Sequence, residues 1–514
     1  MASSDTAQVA AAVPNRVAIT LIVGLATLMQ ALDTTIANVS LPYIQGSLAV
    51  NSDEVEWVLT SYLVAAAIMT PPTGYLTRRF GLKRLFIASI AGFTVGSMLC
   101  GMAASLGEIV VFRMIQGAFG AALVPLSQAV LMNIYPPERQ GRAISYWGMA
   151  IMVGPIIGPI LGGYLTFNYT WRWDFYINVP VGIVALLGMF AFFTETERTA
   201  AKLDWFGFAT LGLAIAALQV LLDQGEELDW FGSLEICLLA VLSGSAFWLF
   251  LVNNLTGRAP FVPRYLLRDR NFVVGTIFSF ILGITFFAPL AILPLFLQDI
   301  MGYPIVTAGF AMAPRGVGML VVMIIVGRMV GRVDTRVLLA IGLGLMAYSM
   351  FAKDGWNQNV SEWTVELNGI IQGAGTGFIF VPLSVISLAT LAPEQRAEGA
   401  GFYTLARNLG MSVGTSIVTA LLTTNAQINH AEISNYVTGV NRLFANPNIA
   451  HLWSPYTAAG RAALNAMVTD QAQIIAYIDD FKLLMILTLL ALPLCVFFRK
   501  PPPGPGSEPS VPAH

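Results

Sequence analysis

Charge is what this 514-residue sequence has least of. Only 11% of its residues are Asp, Glu, Lys or Arg, whereas 56% are hydrophobic and the mean hydropathy is +0.70. Soluble globular proteins carry about 25% charged residues. The composition therefore excludes a soluble protein and predicts an integral membrane protein. The net charge of −2, without a basic patch, gives no sign of a nucleic-acid-binding surface.

Cysteine and histidine are also scarce. The three cysteines, Cys100, Cys237 and Cys495, lie far apart within apolar runs, so neither a disulfide framework nor a metal site is predicted. The three histidines have no partner at a ligand spacing. No nucleophile–base or metal constellation is visible, which disfavours a membrane-embedded enzyme or sensor, and no cofactor is expected.

Long apolar runs are what the sequence has most of. A helix needs about 20 apolar residues to cross the hydrocarbon region of a membrane, and the sequence predicts fourteen such spans. An N-terminal bundle of six occupies 17–194, an inserted pair lies within 195–260, and a C-terminal bundle of six occupies 261–498. The predicted spans are 17–39, 55–76, 85–105, 108–131, 143–167, 174–194, 205–223, 231–252, 272–297, 308–327, 337–353, 362–391, 400–424 and 482–498.

The distribution of Lys and Arg predicts that both termini lie on the cytoplasmic side of the membrane. Cytoplasmic loops carry an excess of these residues. With the N-terminus inside, the inner loops hold basic clusters at 78–84, 264–270 and 328–336. The outer loops hold only Arg172, Lys353, Arg442 and Arg461, with Lys482 at a boundary.

Three stretches outside the spans complete the predicted organisation. Residues 1–16 form an N-terminal cytoplasmic segment, and the Pro/Gly-rich tail at 499–514 is expected to be disordered. The long outer loop at 425–480 combines amphipathic stretches with turn residues, and we expect it to form a partly ordered hairpin.

The two halves of the sequence repeat each other. The stretch "QGAFGAALVPLS" (116–127) matches "QGAGTGFIFVPLS" (372–384), and each is followed by a proline–acid–arginine turn, "PPERQGRA" (136–143) and "PEQRAEGA" (393–400). Repeated halves of this kind build transporters, whose substrate site lies at the interface between the halves.

The loop after the second span carries a family signature. "GYLTRRFGLKR" (74–84) resembles the signature of the major facilitator superfamily, with Gly74, Gly81 and Lys83 matching it. The acidic residue of that signature is replaced here by Arg78. A charge lock between the halves that is built on this acid is therefore not expected, although the fold is unaffected.

A glycine-rich stretch in the fifth span resembles the antiporter motif of the same superfamily. In "GPIIGPILGG" (154–163), every fourth residue is glycine, so these glycines share one helix face on which a second helix can approach closely. Prolines within the stretch are expected to bend the helix. We interpret the face as a rocking joint, and a static tight interface is the alternative. The residues are Gly154, Pro155, Gly158, Pro159, Gly162 and Gly163.

Three further stretches narrow the resemblance. "LDTTIANVSLP" (32–42), "WRWDFYINVPVG" (171–182) and "LDWFG" (203–207) are similar to the fourteen-span drug/proton antiporters of the EmrB/QacA type, and nearest to the EmrB side. The resemblance implies an all-α major facilitator fold with fourteen transmembrane helices. It also implies proton-driven multidrug efflux by alternating access, with a periplasmic adaptor (membrane fusion protein) and an outer-membrane channel as partners. A proton-coupled transporter of one metabolite, with drug efflux incidental, is the alternative.

Asp33 is the residue that most needs an explanation, because a charge at mid-membrane costs about 2.5–3.5 kcal/mol on insertion scales. It lies about 25 Å along the helix from Arg16, in the outer part of its span. Arg113 of the "FRMIQG" motif enters the fourth span from the outside, so the two side chains are predicted to meet. Burial opposes ionisation of Asp33 whereas Arg113 favours it, which suits a proton-coupling carboxyl. A structural ion pair is the alternative.

Other polar residues within the spans are weaker candidates. Gln30 is three residues before Asp33 and shares its helix face. Arg407 has no counterpart in the first half and is predicted to order the inner gate or the cavity, whereas Arg315 is expected to reach the outer surface. The predicted substrate-binding residues are Gln30, Asn38, Gln116, Gln372 and Arg407.

Overall fold

The computed structural model describes residues 15–195, 203–257, 260–437 and 453–499. These residues form nineteen α-helices joined by short turns and contain no β-strand. The predicted segment 1–16 up to residue 14, the predicted tail from residue 500, and residues 438–452 of the predicted outer loop lie outside the described residues.

The N-terminal half is a bundle of long helices with two interruptions. Pro71 and Pro72 follow α2 and stop it, because proline lacks the amide hydrogen that a helix needs. Two residues separate α5 from α6, which together cross the membrane once. The helices are α1 (Arg16–Leu48), α2 (Ser52–Met69), α3 (Thr73–Phe80), α4 (Leu82–Met102), α5 (Leu106–Gly120), α6 (Leu123–Ile134), α7 (Pro137–Asn168), α8 (Trp173–Tyr176) and α9 (Asn178–Phe192).

The inserted pair and the C-terminal half follow in the chain. The inserted pair is α10 (Trp205–Gln224) and α11 (Leu234–Thr256). It is joined to the C-terminal half, where the Ser412 hydroxyl donates to Gln219 Oε1 over 3.0 Å. The C-terminal helices are α12 (Arg264–Arg268), α13 (Arg270–Leu295), α14 (Ile305–Met329), α15 (Thr335–Ala352), α16 (Glu362–Ala389), α17 (Arg396–Tyr436), α18 (Ala458–Leu490) and α19 (Leu494–Phe497).

The predicted spans are present as helices. Within the described residues, thirteen helical segments are long and apolar enough to cross a membrane. Helix α2, the predicted second span, falls outside this set because three acidic residues lie in its first turns. It nonetheless packs lengthwise between α5 and α10. The predicted architecture, two six-helix halves with an inserted pair, is confirmed, and the chain is a multi-pass membrane protein.

The predicted outer loop at 425–480 is largely helical, so its boundaries were wrong. Helix α17 continues to Tyr436 and α18 begins at Ala458. At about 1.5 Å per residue, the 41 residues of α17 extend about 60 Å, twice the hydrocarbon thickness. The two helices also touch beyond the apolar region, where His430 Nε2 lies 3.1 Å from Asn465 Oδ1. The hydropathy pattern predicted only the apolar parts of both helices, because their polar extensions do not have the hydropathy of a membrane span.

The glycine face of the fifth span lies directly against the first span. A Cβ atom at Gly154 would be 2.7 Å from Ala31 Cβ, and one at Gly158 would be 2.0 Å from Thr35 Oγ1. Thr35 also donates to the Gly154 carbonyl oxygen over 3.2 Å. The predicted close approach of two helices is therefore present, and the contacts flank Asp33 on α1.

Not every residue of the glycine motif belongs to this face. A Cβ atom at Gly163 would meet nothing within 4 Å, so this residue is not part of the contact. Pro159 is exposed on the outer surface of α7, whereas Pro155 lines the cavity between the halves. Helix α7 runs without interruption through both prolines.

A pair of alanine substitutions tests the glycine face. Gly158→Ala places a methyl group where Thr35 stands, and overpacking of this kind costs about 1–3 kcal/mol. Gly163→Ala is the matched control, because its methyl group has free space and alanine favours a helix over glycine. We expect a lower melting temperature for Gly158→Ala and an unchanged or higher one for Gly163→Ala, measured by tryptophan fluorescence in detergent. Equal melting temperatures would contradict the contact.

Candidate functional site

The centre of the N-terminal half is a buried carboxylate with three donors. Asp33 is 1% exposed. Its Oδ2 accepts a hydrogen bond from Arg113 Nη1 over 2.6 Å. Its Oδ1 accepts from Gln116 Nε2 over 2.7 Å and from Asn178 Nδ2 over 2.8 Å. The predicted meeting of Asp33 and Arg113 is thus present, and the carboxylate is fully engaged.

Arg113 is held from several sides. It is fully buried, and its Nε donates to the Val58 carbonyl oxygen over 3.0 Å. Its guanidinium carbon lies 4.3 Å from the centroid of the Tyr62 ring, a distance typical of a cation–π contact. Removing one charge of a buried pair leaves the other uncompensated and costs several kcal/mol. Loss of the charge on Asp33 would therefore leave Arg113 buried without a counter-charge.

A cavity of about 340 Å³ lies between the two halves and reaches the inserted pair. Its wall contains Gln30, Asn38 and Arg407, three of the five residues that were predicted to bind substrate. Tyr62 also lines it, so this ring stands between the cavity and Arg113. Its wall is otherwise mainly apolar. The two halves and the inserted pair all contribute side chains to one chamber.

Two of the predicted substrate-binding residues, Gln116 and Gln372, do not line this cavity, and neither does Asp33. Asp33 is turned into its cluster of donors. Gln116 is also turned there, where its Oε1 accepts from Arg113 over 2.9 Å. Gln372 is fully buried, and neither of its side-chain polar atoms has a hydrogen-bond partner among the described residues. Gln116 is therefore a positioning residue for the carboxylate in this conformation, which corrects its assignment to the substrate wall.

Some residues of the site were not predicted. Asn178 lies inside the "WRWDFYINVPVG" stretch, but no spacing rule connects it with Asp33. Gln219 of the inserted pair lines the cavity, although the inserted helices were expected only as a separate segment. Only the tertiary packing shows both contacts.

The inner ends of the halves are joined by an ion pair. Arg78 donates to both carboxylate oxygens of Glu398, and the Tyr265 hydroxyl donates to the same carboxylate. Burial and the neighbouring Glu398 charge raise the pKa of Tyr265, so its hydroxyl stays protonated as a donor. A charge lock that uses an acidic residue at position 78 was not expected. The structure shows a charge lock in which position 78 supplies the base, Arg78, and the C-terminal half supplies the acid, Glu398.

The glycines of the family signature allow the backbone of α3 to lie close to this ion pair. A Cβ atom at Gly74 would be 2.2 Å from Glu398 Cβ, so only glycine lets α3 reach α17 so closely. Gly81 has φ +88, a left-handed conformation that glycine adopts without strain. Lys83 donates to the carbonyl oxygen of Phe193 over 2.5 Å and holds the end of α9.

Further hydrogen bonds close the same end of the interface. Arg396 Nη1 donates to the Met132 carbonyl oxygen over 2.6 Å and to Asn133 Oδ1 over 2.9 Å. Nearer the membrane centre, the Ser145 hydroxyl donates to the Met323 carbonyl oxygen over 2.6 Å. The side predicted to be cytoplasmic is therefore sealed below the cavity.

Comparison with known proteins agrees with this arrangement. The model of the Major Facilitator Superfamily matches residues 23–415. The chain belongs to the major facilitator superfamily. Within this superfamily of transporters it is 36% identical to the "Multidrug export protein EmrB" of Escherichia coli (strain K12), covering 95% of this chain and 96% of that protein. It is thus an EmrB-like member, as its motifs predicted.

Two other proteins resemble this major facilitator chain, one in sequence and one in fold. It is 35% identical to the "Fatty acid resistance protein FarB" of Neisseria gonorrhoeae, covering 94% of this chain and 96% of FarB. A crystal structure of the human organic anion transporter MFSD10 superposes with a TM-score of 0.59 at 15% identity, covering 92% of this chain and all of that one. The second likeness concerns the fold alone.

Charge reversal tests the inner lock. We expect Arg78→Glu to separate the inner ends, because it sets two carboxylates against each other, and Arg78→Glu combined with Glu398→Arg to rejoin them. The reporter is Thr70→Cys at the inner end of the cavity, in a chain whose native cysteines are replaced. Its labelling by a membrane-impermeant maleimide in inside-out vesicles should become several-fold faster with the single change only.

Arg79→Glu is the control for this experiment, because Arg79 is exposed beside Arg78. Labelling that is equally slow in all variants would show that the ion pair does not hold the inner side closed.

Proposed function

We propose that this protein exports hydrophobic or amphipathic toxic compounds in exchange for protons, by alternating access. The observation that carries the proposal is the buried Asp33–Arg113 pair, 2.6 Å apart, beside a largely apolar cavity between two repeated halves. The names of the relatives, a multidrug export protein and a fatty acid resistance protein, support this class of substrate.

The mechanism follows from the way the carboxylate is held. When Asp33 is ionised, Arg113, Gln116 and Asn178 satisfy it and the cluster is closed. A bound proton weakens its contact with Arg113, and the Tyr62 ring that covers Arg113 faces the cavity. Substrate that displaces the Tyr62 ring therefore changes the surroundings of the Asp33–Arg113 pair. Proton and substrate then compete, because both act through the same movement.

The glycine face and the inner lock supply the movement. Helix α7 contacts α1 through glycines that lie on both sides of Asp33 along α1. A shift of α7 therefore moves the part of α1 that carries the carboxylate. The Arg78–Glu398 pair closes the inner end and must part before the cavity opens inward. A membrane potential contributes about 2.3 kcal/mol per proton for each 100 mV, which is enough to drive this cycle outward for the substrate.

Transport of a single metabolite with drug efflux incidental is the second candidate. Uptake by inside-out vesicles under a pH gradient separates the two. Several structurally unrelated amphipathic compounds should compete for uptake if the protein is a multidrug exporter. Uptake of only one compound class, without competition from the others, would favour the metabolite transporter.

Substitution of the carboxyl tests proton coupling. Adding drug to purified wild-type protein in weak buffer should release protons, whereas Asp33→Asn should release none, because the proposed coupling acid has been removed. Asp174→Asn is the matched control, since Asp174 is equally buried in the same half but accepts from Thr166 instead of Arg113. Proton release by Asp33→Asn at the wild-type level would show that Asp33 is not the coupling acid.

The proposal includes the location and partners of the exporter. We place it in the bacterial inner membrane with both termini cytoplasmic, on the basis of the loop arginines. The extensions of α17 and α18 then project about 30 Å from the outer face, which suits contact with a periplasmic adaptor of a tripartite pump that ends in an outer-membrane channel.

Shortening this projection tests the adaptor contact. Removing residues 426–472 and joining the helices by a short Gly/Ser turn should abolish co-purification with the adaptor while the spans remain inserted. The control for a mild surface change is the substitution of Gln358 and Asp470 by alanine. These two side chains lie 3.4 Å apart near the projection. Undiminished co-purification of the shortened protein would count against the contact.

A further inference from the structure

The central cavity has an unusual charge balance. Arg407 is the one charged residue among those described in its wall, and no Asp or Glu is present there. Arg407 is partly exposed to the cavity, and it forms no ion pair with any carboxylate of the described residues. Its guanidinium carbon lies 5.7 Å from the centroid of the Phe380 ring, which lines the same wall. A cation without a counter-charge therefore faces the substrate space.

Among the described residues, no carboxylate lines the cavity, and two lie behind its wall: Asp223, which accepts from Gln219 Nε2 over 3.0 Å, and Asp33. Asp33 is sealed from the cavity and its two oxygens are occupied by three donors. Its charge is compensated within the N-terminal half by Arg113. A cationic substrate would therefore contact no carboxylate in the described wall of the cavity in this conformation.

Two more basic residues are buried in the C-terminal half, and one of them, Arg315, lies behind the cavity wall. Arg315 was expected to reach the outer surface, but it is 5% exposed. It donates to the Phe286 carbonyl oxygen over 2.9 Å, and its guanidinium carbon lies 4.7 Å from the Phe286 ring, which lines the cavity. Its Nε and Nη1 have no partner among the described residues.

Lys353 is the second of these basic residues, and Ser349 and Asn368, which hold it, do not line the cavity. It was expected in an outer loop, but it is fully buried and donates to Asn368 Oδ1 over 2.5 Å. Neither Arg315 nor Lys353 forms an ion pair with a described carboxylate. Charges act over longer distances in a low-dielectric interior than in water, so the Arg315 guanidinium behind Phe286 adds to a positive potential on this side of the cavity.

The remainder of the wall suits an apolar body. Phe286, Phe287 and Phe380 line the cavity together with Met319 and Met411, and methionine side chains adapt to varied shapes. A guanidinium binds a carboxylate or sulfonate through two parallel hydrogen bonds. The cavity thus combines one anion-binding group with an adaptable apolar surface.

We infer that the cavity selects amphipathic organic anions, and that Arg407 binds their carboxylate or sulfonate group while the aromatic wall holds the apolar body. This inference rests on the proposed export function and adds the charge class of its substrates. It concerns binding in the cavity, and it does not depend on how protons are coupled to transport.

The experiment compares two probes that differ in the charge of one end. These are 11-(dansylamino)undecanoate and the matching dansylaminoundecyl-trimethylammonium. Binding to the full-length protein in lipid nanodiscs is followed by dansyl fluorescence, with empty nanodiscs of the same lipid subtracted. We expect wild-type protein to bind the anion at least tenfold more tightly than the cation, the effect of about one charge-assisted hydrogen bond.

Variants assign this preference to Arg407. Arg407→Gln should lose about tenfold in affinity for the anion and none for the cation, and Arg407→Lys should fall in between. Arg84→Gln removes an exposed arginine and should bind as wild type does. Retained binding of the cation shows that the variants are folded. A wild-type preference for the cation, or unchanged binding of the anion by a folded Arg407→Gln, would overturn the inference.

The outcomes also separate this inference from the proposed function. If the anion binds through Arg407 but Asp33→Asn releases protons as wild type does, the coupling proposal fails and the charge preference stands. If Asp33 couples protons but both probes bind equally, the inference fails alone. If Arg407→Gln does not fold, the comparison of the two probes on wild-type protein still decides the charge preference.

Discussion

The contact on which the structure depends is that between one carboxylate and its donors. Asp33 would be costly in the membrane without Arg113, Gln116 and Asn178, and these donors come from two other helices of the N-terminal half. The cluster therefore ties together α1, α5 and the start of α9. Because its balance depends on the charge of Asp33, a single proton changes the contact that holds these helices together.

The glycine face, the Tyr62 ring and the inner lock connect a change in the charge of Asp33 with the rest of the protein. The glycine face brings α7 against α1 on either side of Asp33, while Tyr62 covers Arg113 and lines the cavity. The cavity is closed at its inner end by Arg78 and Glu398. The cavity wall contains residues of α1, which carries Asp33, and of α17, which carries Glu398. In the proposed cycle, this shared wall connects substrate with both the carboxylate and the inner lock.

Sequence reasoning predicted the parts of this arrangement that depend on local pattern. The spans follow from apolar length, the glycine face from its spacing of four, and the Asp33–Arg113 contact from the depth of both residues. The Arg78–Glu398 pair was missed because it needs two distant segments to be adjacent. The buried positions of Arg315 and Lys353 were also missed, since a cation near a span end has the same local pattern whether it faces water or protein.

Infrared difference spectroscopy tests the central claim most directly, because it detects the carboxyl group itself. If substrate binding releases a proton from Asp33, adding substrate to wild-type protein should remove a band of protonated carboxylic acid and create one of carboxylate. The band should move when the solvent is exchanged for D₂O. A substrate-induced spectrum without any change in protonated carboxyl groups would contradict the account.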